Sequence, residues 1–299
     1  MLDSPLLDNL ELVDVIESND QTDHGEMIQL WALPEVAFHK ATSSTQPNSE
    51  SFDGTGTRPY SGAKALIWFF RAFPEIFEHC DIIELGAGIG ACGLLLAQQQ
   101  QPKKGKIVIT DGEPVAVEIS KRNQKLVSEK EHSTNDDFSS FVTCCPLRWS
   151  ENAEEIKEQL AALSENNTFK FKHVLGSDLL YYKTDPKALI ATAVHLLDDT
   201  GPEDGAIFLP ALIRCETLGQ EIVDLAHEYE LEVDTLKIRR FVPKQYLESI
   251  PGWYNLDFLI LTRKGKPLQR ELKEAMTKAQ TCPFDPDASS SDEESSDED

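Results

Sequence analysis

The chain has 299 residues, of which 40% are apolar, and carries a formal charge of -24. That length buries one large core or two small ones, so a single α/β domain with appendages is expected. Binding to a phosphate backbone depends on Lys and Arg displacing counterions, so this balance argues against duplex DNA or RNA as the main partner.

Residues 1–27 contain eight acids and no Lys or Arg. They lack the basic start and small-residue cleavage site of a secretory signal, and no uncharged apolar run of about 18 residues follows anywhere, so a soluble, cytoplasmic protein without a membrane partner is expected. MIQLWAL (27–33) reads as a short strand or a helix turn, and ATSSTQPNSESFDGTGTRPY (41–60), rich in Ser, Thr, Gly and Pro, as a linker or mobile loop. SGAKALIWFFRAF (61–73) has helical apolar spacing and stops at Pro74.

From Asp81 onward strands and helices alternate. DIIEL (81–85) is an apolar strand, GACGLLLAQQ a helix, KIVIT (106–110) a strand, and EPVAVEISKRNQKL (113–126) a helix with Pro114 in its first turn. FVTCC (141–145), FKHVLGSDLL and GAIFLPALI (205–213) read as further strands, separated by the helices SENAEEIKEQLAAL and PKALIATAVHLL. ETLGQEIVDLAHEY is the last helix, and LEVDTLKIRRF and WYNLDFLILTR are the sixth and seventh strands. Strands separated by helices imply parallel βαβ units in a doubly wound sheet, and the helix-free final step implies a terminal antiparallel hairpin.

The end of the chain, DASSSDEESSDED, has no apolar residue after Ala288 and is expected to be disordered, with serines placed before clustered acids as acid-directed kinases prefer. Intact mass of the protein from its own cell would reveal phosphates there. Eight unopposed acids follow Cys282; setting these and the first eight aside leaves -8 on residues 28–282. A basic or lysine-bearing protein partner fits that charge better than a nucleic acid. PKKGK (102–106) reads as a solvated turn and, secondarily, as a nuclear-import signal. The six cysteines form no CxxC pair, so neither a metal site nor a disulfide framework is expected. The expected organisation is an N-terminal extension and linker over 1–56, a catalytic domain over 57–265, a C-terminal extension over 266–282 and the tail over 283–299; oligomeric state is not readable.

At the carboxyl end of DIIEL, Gly86, Gly88 and Gly90 let the backbone turn tightly and present N–H groups to an electronegative ligand. Read as G-x-G-x-x-A the stretch also matches the dinucleotide fingerprint, so the glycines alone do not choose a cofactor. Asp111 follows the next strand directly, where it can accept from both ribose hydroxyls of an adenosine; its structural alternative is a helix cap in TDGEP. Glu84 breaks the tie. A carboxylate inside an apolar strand must find a donor or stay protonated. A pyrophosphate would be repelled there, whereas the methionine ammonium of S-adenosylmethionine would be a direct or water-bridged partner.

GxRPYSGAKAL, DIIELGAGIGACGLLLA, KIVITDGEPVAVEISKRN, PLRW and VLGSDLLYY stand in the order and spacing of the class I seven-β-strand methyltransferases. Over 57–263 the chain resembles methyltransferase family 16, the protein-lysine methyltransferase group. The resemblance implies a Rossmann-like three-layer αβα sandwich with a seven-stranded, mostly parallel sheet ending in an antiparallel hairpin, and S-adenosyl-L-methionine as cofactor. It implies that Gly86, Ala87 and Gly88 wrap the methionine end, that Asp111 holds the ribose, that Trp149 lies against the adenine, and that Ser177 touches the cofactor. Tyr60 stands where the family has a tryptophan.

Asp178 to Tyr181, DLLY, ends a strand where a doubly wound sheet places its reactive crevice. The sulfonium brings its own activation, so the protein must supply position, desolvation and a deprotonated amine, whose ordinary pKa is about 10.4. The family pattern implies that Asp178 orients the amine and relays its proton, and that Tyr181, with Tyr182 as a weaker candidate, walls the channel, where a ring can hold an ammonium. Leu179 and Leu180 replace the paired prolines of amino-methylating nucleic-acid enzymes. The leading reading is an S-adenosylmethionine-dependent protein N-methyltransferase acting on lysine. Its rivals are a small-molecule N-methyltransferase on the same fold, a non-catalytic acidic interaction protein, and a nicotinamide oxidoreductase that lacks a hydride-transfer constellation.

Overall fold

The alternating apolar and amphipathic runs take shape in a computed structural model that describes residues 7, 10–15, 29–34, 54–99, 105–130, 135–163, 169–181, 184–200, 205–212, 216–266 and 269–281. Two short strands come first, β1 (Glu11–Asp14) and β2 (Gln29–Ala32), paired antiparallel with Glu11 opposite Ala32. There follow α1 (Ser61–Ala72), β3 (Ile82–Leu85), α2 (Ala91–Gln99), β4 (Ile107–Asp111), α3 (Pro114–Lys130), α4 (Asn135–Phe141) and β5 (Val142–Pro146). The second half holds α5 (Ala153–Leu160), β6 (His173–Gly176), α6 (Pro186–Leu196), β7 (Ala206–Leu212), α7 (Glu216–Glu228), β8 (Leu231–Lys237), α8 (Lys244–Leu247), β9 (Leu256–Arg263) and α9 (Arg270–Thr281).

The larger sheet has seven strands in the order β5-β4-β3-β6-β7-β9-β8. Every neighbouring pair from β5 to β7 is parallel, and β9 runs antiparallel to both β7 and β8. This is the expected mostly parallel sheet closed by a hairpin. The order reverses between β3 and β6, which opens a crevice beyond their carboxyl ends.

Central strands are buried on both faces, so β3 reads Ile-Ile-Glu-Leu without a solvent-facing position. The alternation along β3 divides the core in two. Ile82 joins the apolar cluster beneath α1, α2 and α9, while Ile83 and Leu85 join the one beneath α5, α6 and α7. The result is the three-layer sandwich. In the first cluster Phe69 of α1 is surrounded by rings, with Phe258 at 4.5 Å, Phe73 at 5.0 Å and Phe241 at 5.3 Å between centroids. Local chemistry sets several helix starts: Asp185 accepts from the N–H groups of Lys187 and Ala188 ahead of Pro186, and Asn152 accepts from Glu154 N.

Sequence reading did not foresee β1, α4, α8 or α9. β1 is short and half polar, and α9 is recognisable as a core element only through Leu272, Ala275, Met276 and Ala279, which enter the first cluster. The stretch read as a linker over 41–60 needs a correction at its end. Gly54–Thr57 forms a 3-10 turn, and Thr57 is 1% exposed. Gly56 and Thr57 are closely packed there. The acidic tail, Tyr182 and residues 102–104 of the basic stretch lie outside the described residues. Among the described residues no helix is long and apolar enough to cross a membrane, and no cluster of His, Cys, Asp and Glu is arranged to hold a metal ion.

His173 begins β6 fully buried, with Nδ1 accepting from Ala206 N at 3.2 Å and Nε2 donating to the Ile76 carbonyl at 3.1 Å. Burial pushes its pKa from 6.5 down to about 4. Between those values the unfolded chain takes up a proton that the folded chain refuses, so stability falls as pH falls, by at most about 1.4 kcal/mol per pH unit from this group. Urea denaturation at pH 7 and pH 5 is expected to show a smaller loss for His173→Gln than for the wild type. Equal losses would remove His173 as the cause.

Candidate active site

β3 ends at Leu85, and the chain turns through Gly86, Ala87, Gly88, Ile89 and Gly90 before α2. Gly86 and Gly88 both have φ of 57°, the left-handed region that side chains avoid. The turn is tied to β4, because Ala87 N donates to the Thr110 carbonyl at 2.8 Å and Thr110 Oγ1 donates to the Glu84 carbonyl at 2.7 Å. Asp111 closes the far side. Its Oδ2 accepts from Gly88 N and its Oδ1 from Glu113 N, each at 2.8 Å. The carboxyl therefore holds the main chain just ahead of α3 and braces the glycine turn, a contact with the turn that the sequence did not reveal. Burial outweighs those donors and raises its pKa to about 6.

Trp149, beyond β5, lies over the start of the turn. A Cβ built on Gly86 would stand 3.1 Å from the indole Cζ2 and 2.5 Å from Leu179 Cδ2. The indole and the DLLY turn thus meet at the first glycine. Trp149 is half-buried, as its place at the edge of the second cluster requires.

Glu84 turns to the α1–α2 side of the sheet and is 1% exposed. Its Oε2 accepts from Gly93 N at 2.8 Å, inside the first turn of α2, and the Cys92 thiol donates to the same carboxyl. Burial raises the Glu84 pKa to about 8 against the lowering effect of these two donors, and the Asp111 charge adds to the rise, which favours the protonated carboxyl near neutral pH. Cys92 in turn lies 3.9 Å from Ser177 Oγ. Glu84, Cys92 and Ser177 form a polar seam beneath the crevice.

Asp178 has φ of 54°, unusual for a residue with a side chain. Its N–H donates to the Pro210 carbonyl at 2.9 Å, and its Oδ2 accepts a short hydrogen bond from Gly62 N in the first turn of α1. A Cβ on Gly62 would come within 2.7 Å of both Asp178 Oδ2 and the Pro210 oxygen, so only glycine permits this approach. The helix begins directly after Tyr60, which offers no side-chain cap; Asp178, remote in sequence, provides one. Tyr181 is half-buried in a turn closed by Thr184, whose N–H donates to the Tyr181 carbonyl at 2.9 Å and whose hydroxyl donates to the Leu179 carbonyl. Backbone strain at the carboxyl end of β6, stabilised from two neighbouring elements, is the kind of geometry that clusters at reactive sites.

The β3–β6 switch thus has Gly86, Ala87, Gly88, Gly90, Asp111 and Trp149 on one side and Asp178 on the other, with Glu84 and Ser177 beneath; Tyr60 precedes Gly62 at the start of α1, and Tyr181 follows Asp178 along the chain. Sequence reasoning missed Gly62, Cys92, Leu179 and Gly56. Gly62 had a signal, since a glycine in the first turn of an apolar helix weakens it unless space demands one. The N–H groups of Ala87, Gly88 and Gly90 are engaged within the protein, contrary to the expectation that the turn presents them to a ligand, so the arrangement offers a nucleoside-bearing ligand a carboxyl acceptor and an indole face.

A profile of the lysine methyltransferase family matches residues 50–209. The calmodulin-lysine N-methyltransferase of Arabidopsis thaliana is 29% identical over 186 residues, covering 62% of this chain and 55% of that protein. The EEF1A lysine methyltransferase 3 of Mus musculus is 28% identical over 165 residues, covering 54% and 58%. The chain thus spans little more than half the length of these relatives. Among solved structures, a magnesium protoporphyrin IX methyltransferase from Synechocystis with bound SAH aligns at 13% identity and a TM-score of 0.43, over 68% of this chain and 82% of that one, a likeness too loose to bear on the site. With more than half of its residues matched by the family profile and the seven-stranded sheet in place, the chain belongs to the lysine methyltransferase family.

Proposed function

We propose that the protein is an S-adenosylmethionine-dependent N-methyltransferase acting on a lysine side chain of a protein substrate. The observation that carries this reading is the convergence of the Asp111-braced glycine turn and the strained Asp178 turn on one crevice. The residues fit the cofactor. The Asp111 oxygens accept from Gly88 N and Glu113 N, and Gly112 N also acts on the carboxyl, while a carboxylate offers about four acceptor sites, so capacity remains for a ribose hydroxyl. Trp149 offers a face for adenine, Gly86, Ala87, Gly88 and Gly90 a narrow seat, and Tyr60, Glu84 and Ser177 line the methionine side.

When bound, S-adenosylmethionine supplies an activated methyl group on a cationic sulfur. The chain must position an amine and let it lose its proton. Asp178 serves twice in this reading: one oxygen fixes α1, and the carboxylate charge orients the entering ammonium and draws its proton away. Tyr181 walls the channel, where its ring attracts the ammonium. Net acidity, concentrated at both chain ends, supports a lysine-bearing, basic protein as substrate.

Incubation with methyl-labelled cofactor and lysate is expected to label a protein, with mass spectrometry locating the methyl on lysine; label confined to a small metabolite would refute the protein substrate. Asp178→Asn keeps an acceptor for Gly62 N and tolerates the left-handed backbone, so it should melt like the wild type while kcat falls at least about tenfold. Asp178→Ala should also lose about 1 kcal/mol of stability as the cap disappears. An Asp178→Asn enzyme at full rate would reduce Asp178 to a cap. Because burial lifts Asp111 to about 6, protonation below that pH removes acceptor capacity, and calorimetric titration with S-adenosylhomocysteine should weaken from pH 7.5 to pH 5.5.

A further inference from the structure

The Gly54–Thr57 turn lies against Asp111, which would hold the ribose, and against Gly88 of the glycine turn. A Cβ built on Gly56 would stand 3.3 Å from Ala116 Cβ, 3.4 Å from Gly88 Cα and 3.5 Å from Asp111 Oδ2. From the other side, a Cβ on Gly88 would come 2.6 Å from the Gly56 carbonyl oxygen. Gly56 does not have the left-handed φ of Gly86 and Gly88. Space alone therefore favours a residue without a large side chain at 56, and the space in question is the approach to the Asp111 carboxyl.

The turn is held there from a distance. Asn123 of α3 is fully buried. Its Oδ1 accepts from Trp31 N at 2.6 Å, and its Nδ2 donates to the carbonyls of Trp31 at 3.1 Å and Ile89 at 2.9 Å. One side chain thus satisfies both main-chain groups of a β2 residue, as a neighbouring strand would, and ties β2 to the glycine turn. Beyond β2, Leu33 N donates to the Thr57 carbonyl at 3.1 Å, and Arg58 Nη1 donates to the Leu33 carbonyl at 3.0 Å. Arg58 also faces Glu11 of β1 at 3.8 Å. An unbroken path of hydrogen bonds leads from the glycine turn through Asn123 and β2 to the turn at 54–57.

We infer that Gly56 forms a wall of the cofactor site over the Asp111 carboxyl, and that the N-terminal strand pair, clamped by Asn123, is the brace that sets the wall's distance. This rests on the proposed cofactor. Gly56 is a positioning residue that admits the ribose by having no side chain. A methyl at 56 meets neighbours at ordinary to tight separations, whereas a branched side chain must enter the space above Asp111 Oδ2 or push the turn away.

The experiment titrates the full-length wild type, Gly56→Ala and Gly56→Val with S-adenosylhomocysteine by calorimetry, alongside apo melting curves. Gly56→Ala should weaken binding a few-fold, and Gly56→Val at least fifty-fold or beyond detection, with apo melting near that of the wild type. Hydrogen exchange on the wild type guards against a misfolded variant: the ligand should slow exchange at 54–58 as well as at 86–90. A Gly56→Val protein that binds like the wild type, or an absence of protection at 54–58 in a wild type that binds, would overturn the wall while leaving the proposed cofactor intact. A wild type that binds no S-adenosylhomocysteine would overturn both.

Discussion

Glu84, Asp111 and Asp178, at or beyond the carboxyl ends of β3, β4 and β6, each accept a hydrogen bond from a main-chain N–H, and in each case a glycine is a donor: Gly93, Gly88 and Gly62. A carboxyl taken out of water must be satisfied. Here the sheet satisfies three of them with the exposed N–H groups of helix starts and of the cofactor turn. At Gly93 and Gly62 the missing side chain lets the oxygen approach, whereas at Gly88 it makes room for the Gly56 carbonyl. The positions of α1, α2 and the glycine turn over the sheet follow from these contacts.

The same contacts set the electrical character of the crevice. Burial lifts Glu84 to about 8 and Asp111 to about 6, so at neutral pH the seam beneath the crevice is less negative than its composition implies. An arriving cation would favour the ionised forms and strengthen its own attraction. The large negative charge of the chain lies mostly at its two ends, where it acts on partners at longer range without crowding the crevice.

Much of this was legible from the chain itself. Glycines on alternate positions between an apolar strand and an apolar helix, an acid directly after the next strand, and ten-residue helices between apolar runs are local signals with few structural solutions. The elements that escaped were those whose reason is remote. β1 is four residues of mixed polarity, and β2 was readable only as a short strand; their place depends on Asn123, which sits 92 residues beyond Trp31. Gly56 opens the motif GxRPYSGAKAL but had no role of its own from the sequence, because nothing nearby in sequence reports the approach of Gly88 and Asp111.

The sequence by itself determined the class of fold, the strand that carries the glycine turn, and the strand-end positions of Asp111 and Asp178, because period, apolarity and turn chemistry act over a few residues. Tertiary structure alone decided what those acids touch. Asp178 reaches α1 across 116 residues, and Asp111 joins a turn 23 residues back to the start of its own helix. Such partners are chosen by sheet order, since neighbours in the sheet are not neighbours in the chain, and a buried carboxyl accepts whichever N–H the topology brings within reach.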